Sequence, residues 1–280
     1  MSSMRDIKKR IDNVSSTAQL IKAMDTIAST SLHKARQQLN GVRPIYNELK
    51  RQVEELGERK EALTHPYYED RPINNTLYIV LTSDRGYVGS YNNSILQAAM
   101  DHMNDGRSEQ ILAVGSKGYN YFKKHGKNII RKVTDVADSH VYYGSESLSL
   151  WAKELYTSGQ VDEVFIVYSE FVNVLTYKPR VEKFLPVSSN YDENAYEGDR
   201  LYEPDVPTVM DHLIPLYLHM NFFRAISESH TCEEAARMVN MDAAGKNADE
   251  LIKELRLSYN RQRQAVITQE LNEIIGGSKF

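Results

Sequence analysis

The sequence predicts an α/β fold: a long antiparallel coiled coil of N- and C-terminal helices flanking a central α/β domain with a mainly parallel sheet. Three observations predict it. Residues 1 to about 60 carry a sustained apolar heptad, and residues from about 207 to 277 carry a second, looser one. Between them, residues 76–190 alternate short apolar runs with helix-like stretches. At 280 residues the chain has room for about two domains at ~150 residues each.

The first heptad runs through Met4, Ile7, Ile11, Val14, Ala18, Ile21, Asp25, Ala28, Leu32, Ala35, Leu39, Val42, Tyr46, Leu49, Val53 and Leu56. Asp25 is its single charge. Sustained 3-4 spacing places these side chains on one side of a helix, which then buries against a partner with left-handed supercoiling. The alanine- and methionine-rich middle makes the seam thinner than that of an optimised zipper. Gly41 and Pro44 predict a bend or break.

The last heptad starts with Leu213, Leu216 or Tyr217, Met220 and Phe223, and continues through Met238, Met241, Gly245, Ala248, Ile252, Leu255, Tyr259 and Val266. Gly245 on the seam lets another backbone approach closely, at about 1 kcal/mol of helix propensity against alanine. Pro207 suits a first helical turn, Pro215 predicts a kink, and Gly276-Gly277 reads as a stop. Two terminal seams have one joint explanation, antiparallel pairing. Periodicity leaves open whether the pair projects as a rod, ~75 Å for ~50 residues at 1.5 Å each, or folds back as an ordinary bundle.

In the middle segment, Thr76–Thr82 reads as a buried strand, followed by a turn at Ser83-Asp84-Arg85-Gly86 and a helix from Asn92 to Met103. Gln110–Gly115 is a second strand, Ser116–His125 a helix, Ser145–Gly159 another helix and Glu163–Ser169 a third core strand. Phe171–Pro186 holds an edge-like strand with Pro179. Strand–helix alternation argues a mainly parallel sheet.

Composition narrows the function. Lysine plus arginine number 34 against 38 acidic residues, a net charge of −4, which disfavours a general nucleic-acid binder. With Cys232 alone, neither an intrachain disulfide nor a four-cysteine zinc site can form, and a reduced compartment is favoured. No run of ~18 apolar residues could span a bilayer. The opening MSSMRDIKKR lacks the apolar stretch of a signal peptide.

Chemical motifs are sparse. SDRGYVGS sits where a phosphate loop would, between strand and helix, but it has neither the G-x-G-x-x-G fingerprint nor P-loop spacing, and Lys117 in GSKG lacks the required glycines. It reads as a structural turn. The eight histidines, including His212 and His219 one heptad apart, show no metal-ligand spacing. Cys232 has no base beside it and reads as a buried helix position. Glu233-Glu234 and Asp192-Glu193 read as solvated charges. The closing YNRQRQAVITQELNEIIGG differs: polar residues surround the helix instead of occupying one face, which suggests an enclosing partner. Charge is uneven as well. Residues 1–60 hold twelve basic and seven acidic groups, whereas residues 61–206 hold fourteen and twenty-one. The basic first helix faces either acidic partner loops or the chain's own acidic parts.

These motifs resemble a known family. M-R-D-I-K-K-R-I with Lys22-Ala23-Met24, then SDRG, GSKG, LYEPD, EEAARMVNMDAAGKNA and YNRQRQAVITQELNEIIGG lie in order along nearly the whole chain. They are similar to the gamma subunits of F-type ATP synthases. The resemblance implies a coiled coil of residues 1–60 with 207–277, and a Rossmann-like α/β foot at 76–190. It implies a non-catalytic rotor, without cofactor or metal, turning inside three alpha and three beta subunits. It also implies an epsilon subunit and a ring of c subunits as partners, with membrane association through that ring only. Proton or sodium flow through the ring turns the rotor and drives ATP synthesis at the beta sites. By the motifs, Arg263, Gln264 and Thr268 form a catch on beta loops. Lys22 and Met24 meet the beta lever, Tyr202 and Glu203 meet the c ring, and Ile274, Ile275 and Phe280 seat in an apolar tip bearing.

The chain departs from the family pattern in places. Tyr87-Val88-Gly89-Ser90 replaces the common L-C-G-G, and His230, Thr231 and Cys232 replace small residues. Gly245 replaces threonine or serine, and Lys279 charges the tip. The chloroplast insertion with its cysteine pair is absent, so no thiol switch is expected. Without a visible transit peptide, the expected location is the cytoplasmic face of a bacterial plasma membrane. The residues leave two other readings open: a divergent paralogue or coiled-coil tether that does not couple, and a nucleotide-dependent α/β enzyme.

Overall fold

The computed structural model describes residues 4–69, 71–103, 107–134, 141–189, 191 and 202–277. Helix α1 spans Met4–Gly57, followed by a 3-10 turn at Lys60–Thr64. Then come β1 (Asn75–Leu81), α2 (Tyr91–His102), β2 (Ser108–Val114), α3 (Ser116–Lys124), β3 (Ile129–Val133), α4 (Val141–Thr157), β4 (Glu163–Asn173), β5 (Thr176–Leu185) and α5 (Val206–Gly277). The chain forms two compact units, Met1–Thr30 with Arg237–Phe280, and Ser31–Ala236.

In the first unit, α1 packs on α5. Ile7 and Ala28 are buried, and Met4, Ile11, Val14, Ala18, Ile21 and Asp25 are half-buried. On α5, Met241 and Ala248 are buried and Ile252, Leu255, Tyr259 and Val266 half-buried. A Cβ at Gly245 would stand 3.7 Å from Ile21 Cγ2, an ordinary contact, so the glycine brings the backbone close without forbidding a larger side chain.

In the second unit, every seam position of α1 from Leu32 to Leu56 is buried. Tyr217, not Leu216, takes the seam of α5: Tyr217 is 9% exposed and Leu216 47%. Arg43 pairs with Glu228 while Tyr46 stacks on Tyr217, so α1 and α5 run antiparallel here. Gly41 and Pro44 do not break α1, which continues through both. Pro44 removes the hydrogen bond to the Asn40 carbonyl, but Asn40, Gly41 and Pro44 are all exposed, so water can answer that oxygen while buried Val42 and Tyr46 hold the helix to its partner. Likewise α5 runs uninterrupted through Pro215, with Pro207 in its first turn.

The five-stranded sheet has the order β3-β2-β1-β4-β5. The first four strands are parallel, and β5 returns antiparallel on β4 at the edge. Six of the seven β1 residues are buried, as a central strand covered on both faces requires. One face, with Leu77, Ile79, Leu81 and Ile166, shares a core with α1, α4 and α5; α2 packs against β1, β4 and β5, and α3 against β2 and β3. The sequence reading missed β3. Its run Ile-Ile-Arg-Lys-Val has only two half-buried positions, because an edge strand needs no apolar period.

Polar groups knit α1, the β4–β5 hairpin and α5 together. Arg224 is 7% exposed. Its guanidinium donates to Glu182 at 2.7 Å, Tyr168 Oη at 2.7 Å and Asn221 Oδ1 at 2.8 Å, and lies 4.2 Å from the Tyr46 ring centroid. Tyr168 and Tyr46 donate to the two Glu182 oxygens. Arg43 clamps Glu228 with two 2.8 Å bonds and donates to the Phe171 carbonyl, while the Phe171 N–H donates to Glu228. Removing Arg224 leaves Glu182, whose side chain is 30% exposed, without its ion partner. We predict that Arg224→Ala lowers unfolding stability by about 1.5–3 kcal/mol in urea titrations; a loss under about 1 kcal/mol would show the network to be dispensable. Burial alone would raise the Glu182 carboxyl, but Arg224 and the Tyr168, Arg224 and Asn221 hydrogen bonds outweigh it and hold the group below its ordinary 4.5. Its stabilising effect is therefore complete above about pH 4.5 and fades as pH falls below that. Stability measured from pH 6 to pH 3 is expected to show this acid limb, and Glu182→Gln to flatten it.

Candidate functional site

The polar segment of α5 presents its groups outward. Tyr259, Gln262 and Val266 are half-buried, whereas Asn260, Arg261, Arg263, Gln264, Thr268, Gln269, Glu270 and Asn272 are exposed. At about 100° per residue, Arg263 and Thr268 lie about 140° apart around the axis, with Gln264 between them. Thr268 Oγ1 donates to the Gln264 carbonyl at 2.8 Å, which leaves the hydroxyl oxygen as an acceptor. Among the described residues Arg263 forms no ion pair, so its five donors face water.

The sequence reading missed an apolar stripe on the same helix. Leu257 is 60% exposed, Ile267 46%, Leu271 53% and Ile274 68%. The last three follow i, i+4, i+7 spacing, with Gln264 on the same line, the pattern of a helix offering a face to a groove. The signal was present, but it reads as solvated until burial shows that the seam lies elsewhere. Ile274, expected at the tip, is therefore exposed in this chain by itself. Nothing is described of the Ile275 side chain, and Phe280 and Lys279 lie outside the described residues, as does Asp192-Glu193.

On α1, Lys22 is exposed and Met24 half-buried, and Leu20 and Ile27, one heptad apart, are 67% and 64% exposed. Ile21 is the residue that meets the Gly245 position. Gly245 stands eighteen residues before Arg263 on α5, about 27 Å at 1.5 Å per residue. The structure therefore keeps Lys22 and Met24 apart from the Arg263 group, as two patches on one helix pair.

At the start of α5, Tyr202 is half-buried with the Arg59 guanidinium 5.4 Å from its ring centroid, and Glu203 is exposed. The motif's next acidic residue has a structural task that the sequence reading did not assign. Asp205 accepts the Thr208 N–H at 2.8 Å, capping α5, and this bond holds its carboxyl below the ordinary value.

The α/β layer shows no chemistry at its turn. Asp84 accepts the Ser116 N–H at 2.8 Å and Ser116 Oγ at 2.7 Å, so the protein's own carboxylate fills the N-terminus of α3 where a phosphate would bind. Both GSKG glycines serve packing. Gly115 has φ +95°, and a Cβ there would fall 2.1 Å from the Thr82 carbonyl oxygen; at Gly118 it would fall 2.7 Å from Thr82 Oγ1. Cys232 is fully buried, its thiol donating to the Ser169 carbonyl, and burial raises its pKa, so it is no nucleophile. His219 is buried with Nε2 3.2 Å from Ser145 Oγ. Among the described residues no three histidine, cysteine, aspartate or glutamate side chains group as a metal site, and no helix is long and apolar enough to cross a membrane.

Comparison with known proteins gives one consistent result. A family model described as ATP synthase matches residues 3–279. An ATP synthase gamma chain from Alkaliphilus metalliredigens is 36% identical over 282 residues, covering 99% of this chain and 98% of the relative. One from Desulforamulus reducens is 36% identical over 279 residues, covering 99% of both. Among solved structures, a chain of the Euglena gracilis mitochondrial ATP synthase (OSCP/F1/c-ring, rotational state 3) has a TM-score of 0.69 at 21% identity, covering 98% of this chain and 93% of its own. A chain of that synthase's rotor in rotational state 1 has a TM-score of 0.67 at 19% identity, covering 94% of this chain and 98% of its own. Those two likenesses concern the fold. The full-length relatives, joined to paired terminal helices and a mainly parallel sheet whose turn is closed to phosphate, make the chain a member of the ATP synthase gamma chain family.

Proposed function

We propose that the chain is the rotating central stalk of an F-type ATP synthase. The single observation that carries this reading is the outer face of α5: donors, acceptors and an apolar stripe all exposed on a helix whose seam is already occupied. An axle must be stiff along its own seam and offer varied contacts all round, none strong enough to arrest it. In this reading, residues 1–60 with 207–277 form the shaft and 76–190 the foot. Three alpha and three beta subunits enclose the shaft. Epsilon and the c ring bind the foot, and the assembly is peripheral on the cytoplasmic face of a bacterial plasma membrane, attached through the c ring.

The chain breaks no bond itself. Rotor angle changes the relative free energies of the beta conformations, and nucleotide occupancy then biases rotor angle by the same coupling. Arg263, Gln264 and Thr268 supply a catch on beta loops, with the bidentate reach of arginine at its centre. Lys22 and Met24 meet the beta lever, Tyr202 and Glu203 the c ring, and Ile274, Ile275 and Phe280 the tip bearing.

Tagged chain is expected to co-purify with alpha, beta and epsilon subunits; a monodisperse free monomer would contradict the assembly. In a reconstituted complex, Arg263→Ala removes charge-assisted hydrogen bonds worth about 1.5–3 kcal/mol. ATP hydrolysis is expected to fall by about tenfold. Unchanged turnover would remove Arg263 from the catch while leaving the rotor reading to a direct measurement, hydrolysis-driven rotation of a probe fixed to the foot.

A further inference from the structure

The far edge of the sheet carries cations that no carboxylate among the described residues answers. Lys123 and Lys124 end α3, and Arg131 and Lys132 lie on β3; all four are exposed. None forms an ion pair among the described residues. Two cations in the same region are matched by contrast, Lys127 to Glu109 at 3.2 Å and Arg107 to Glu163 at 2.9 Å. Residues 61–206 as a whole are acidic, fourteen basic against twenty-one acidic groups, so the basic edge runs against the local trend.

The cations are also arranged. The Lys132 ammonium lies 4.5 Å and the Lys123 ammonium 5.8 Å from the centroid of one ring, that of Tyr119. Arg131 points to the opposite face of the strand, 4.8 Å from the Trp151 ring centroid. A helix dipole accounts for a cation at the end of α3, and a lysine on an edge strand discourages aggregation. Neither explains two ammonium groups gathered on one ring with no ion pair to any carboxylate among the described residues. Meanwhile β3 pairs with β2 alone, so along its other side the backbone groups pair with no strand of the described residues.

We propose that this edge binds an acidic extended segment of a partner polypeptide by strand addition, β3 supplying the backbone hydrogen bonds. Neighbouring residues of an added strand point to opposite faces. Two consecutive acidic side chains therefore meet the edge from both sides, one at Lys132 and Lys123 and the next at Arg131. Cross-strand pairs of opposite charge fix the register, and the backbone ladder supplies the affinity. This surface is independent of the shaft contacts and is tested separately from them.

The test uses the full chain and a labelled octapeptide with two adjacent glutamates between β-branched residues, Thr-Val-Thr-Glu-Glu-Val-Thr-Val. Binding is expected to raise fluorescence anisotropy and to slow amide hydrogen exchange within Ile129–Val133. Lys123→Glu with Lys132→Glu is expected to weaken it by about tenfold, and Lys123→Gln with Lys132→Gln to weaken it less. Lys178→Glu, on the opposite edge strand, leaves it unchanged. Anisotropy without slowed exchange in β3 would overturn strand addition. So would equal binding of the glutamine-for-glutamate peptide, or displacement of the peptide by phosphatidylglycerol vesicles or by millimolar phosphate, since each would mark a general anion-attracting surface.

Discussion

Arg224 is buried on α5, and a buried guanidinium must be answered within the fold. Glu182 answers it from β5, Tyr168 from β4, and Tyr46 from α1 with a ring face. Glu182 then has lone pairs to fill, which draws in the hydroxyls of Tyr46 and Tyr168 and the Asn221 amide. The desolvation of one cation thereby dictates where a helix at each end of the chain and an antiparallel hairpin must meet. Arg43 and Glu228 repeat the arrangement a few residues away. Apolar packing alone tolerates sliding by a turn along a heptad seam; a hydrogen-bonded ion pair does not, because a slip leaves a charge buried and alone. The polar network therefore fixes the axial register of α1 against α5 within the second unit.

The seam of the first unit follows another rule. Its positions are mostly half-buried and include Ala18, Asp25 and Gly245, where the second unit has Leu39, Tyr46 and Leu56. Smaller side chains mean less apolar area removed from water at about 25 cal/mol per Å². Such a helix pair draws additional burial from whatever surrounds it, and the exposed Leu20, Ile27, Leu257, Ile267 and Leu271 are available for that purpose. Under the proposed role of a rotating stalk, contacts spread around the circumference are more useful than one deep pocket, since a single strong site would hold one angle.

The α/β layer has the topology of a nucleotide-binding fold, yet its chemistry points to structure. The helix N-terminus that would hold phosphate is occupied by Asp84, and the glycines of the GSKG turn are required by Thr82. A fold class names an arrangement of elements; the groups at the turn decide whether it binds anything. Here the layer serves as a rigid body onto which the Tyr202–Asp205 corner, the capped start of α5 and the charged β3 edge are mounted.

How far the sequence could be read differs by element. All sixteen positions of the first heptad are buried or half-buried, and the buried strands appear within a residue or two of their expected starts, because apolar periodicity is local and each residue reports its own side. Pro44 was misleading: a local rule forecast a break, and packing on both sides of an exposed turn overrode it. Edge strand β3 escaped because its few apolar residues carry no period. The motif residues Arg263, Gln264 and Thr268 were legible as polar groups surrounding a helix, but the stripe of Ile267, Leu271 and Ile274 was not, since exposure cannot be told from the residue alone. The sequence by itself thus determined the helices, the buried strands β1, β2 and β4, and the family. The tertiary structure alone decided the register of the helices in the second unit and which cations find partners among the described residues. The reason is distance along the chain: Arg43 meets Glu228 across 185 residues and Tyr46 meets Glu182 across 136, and no local pattern records such a pairing.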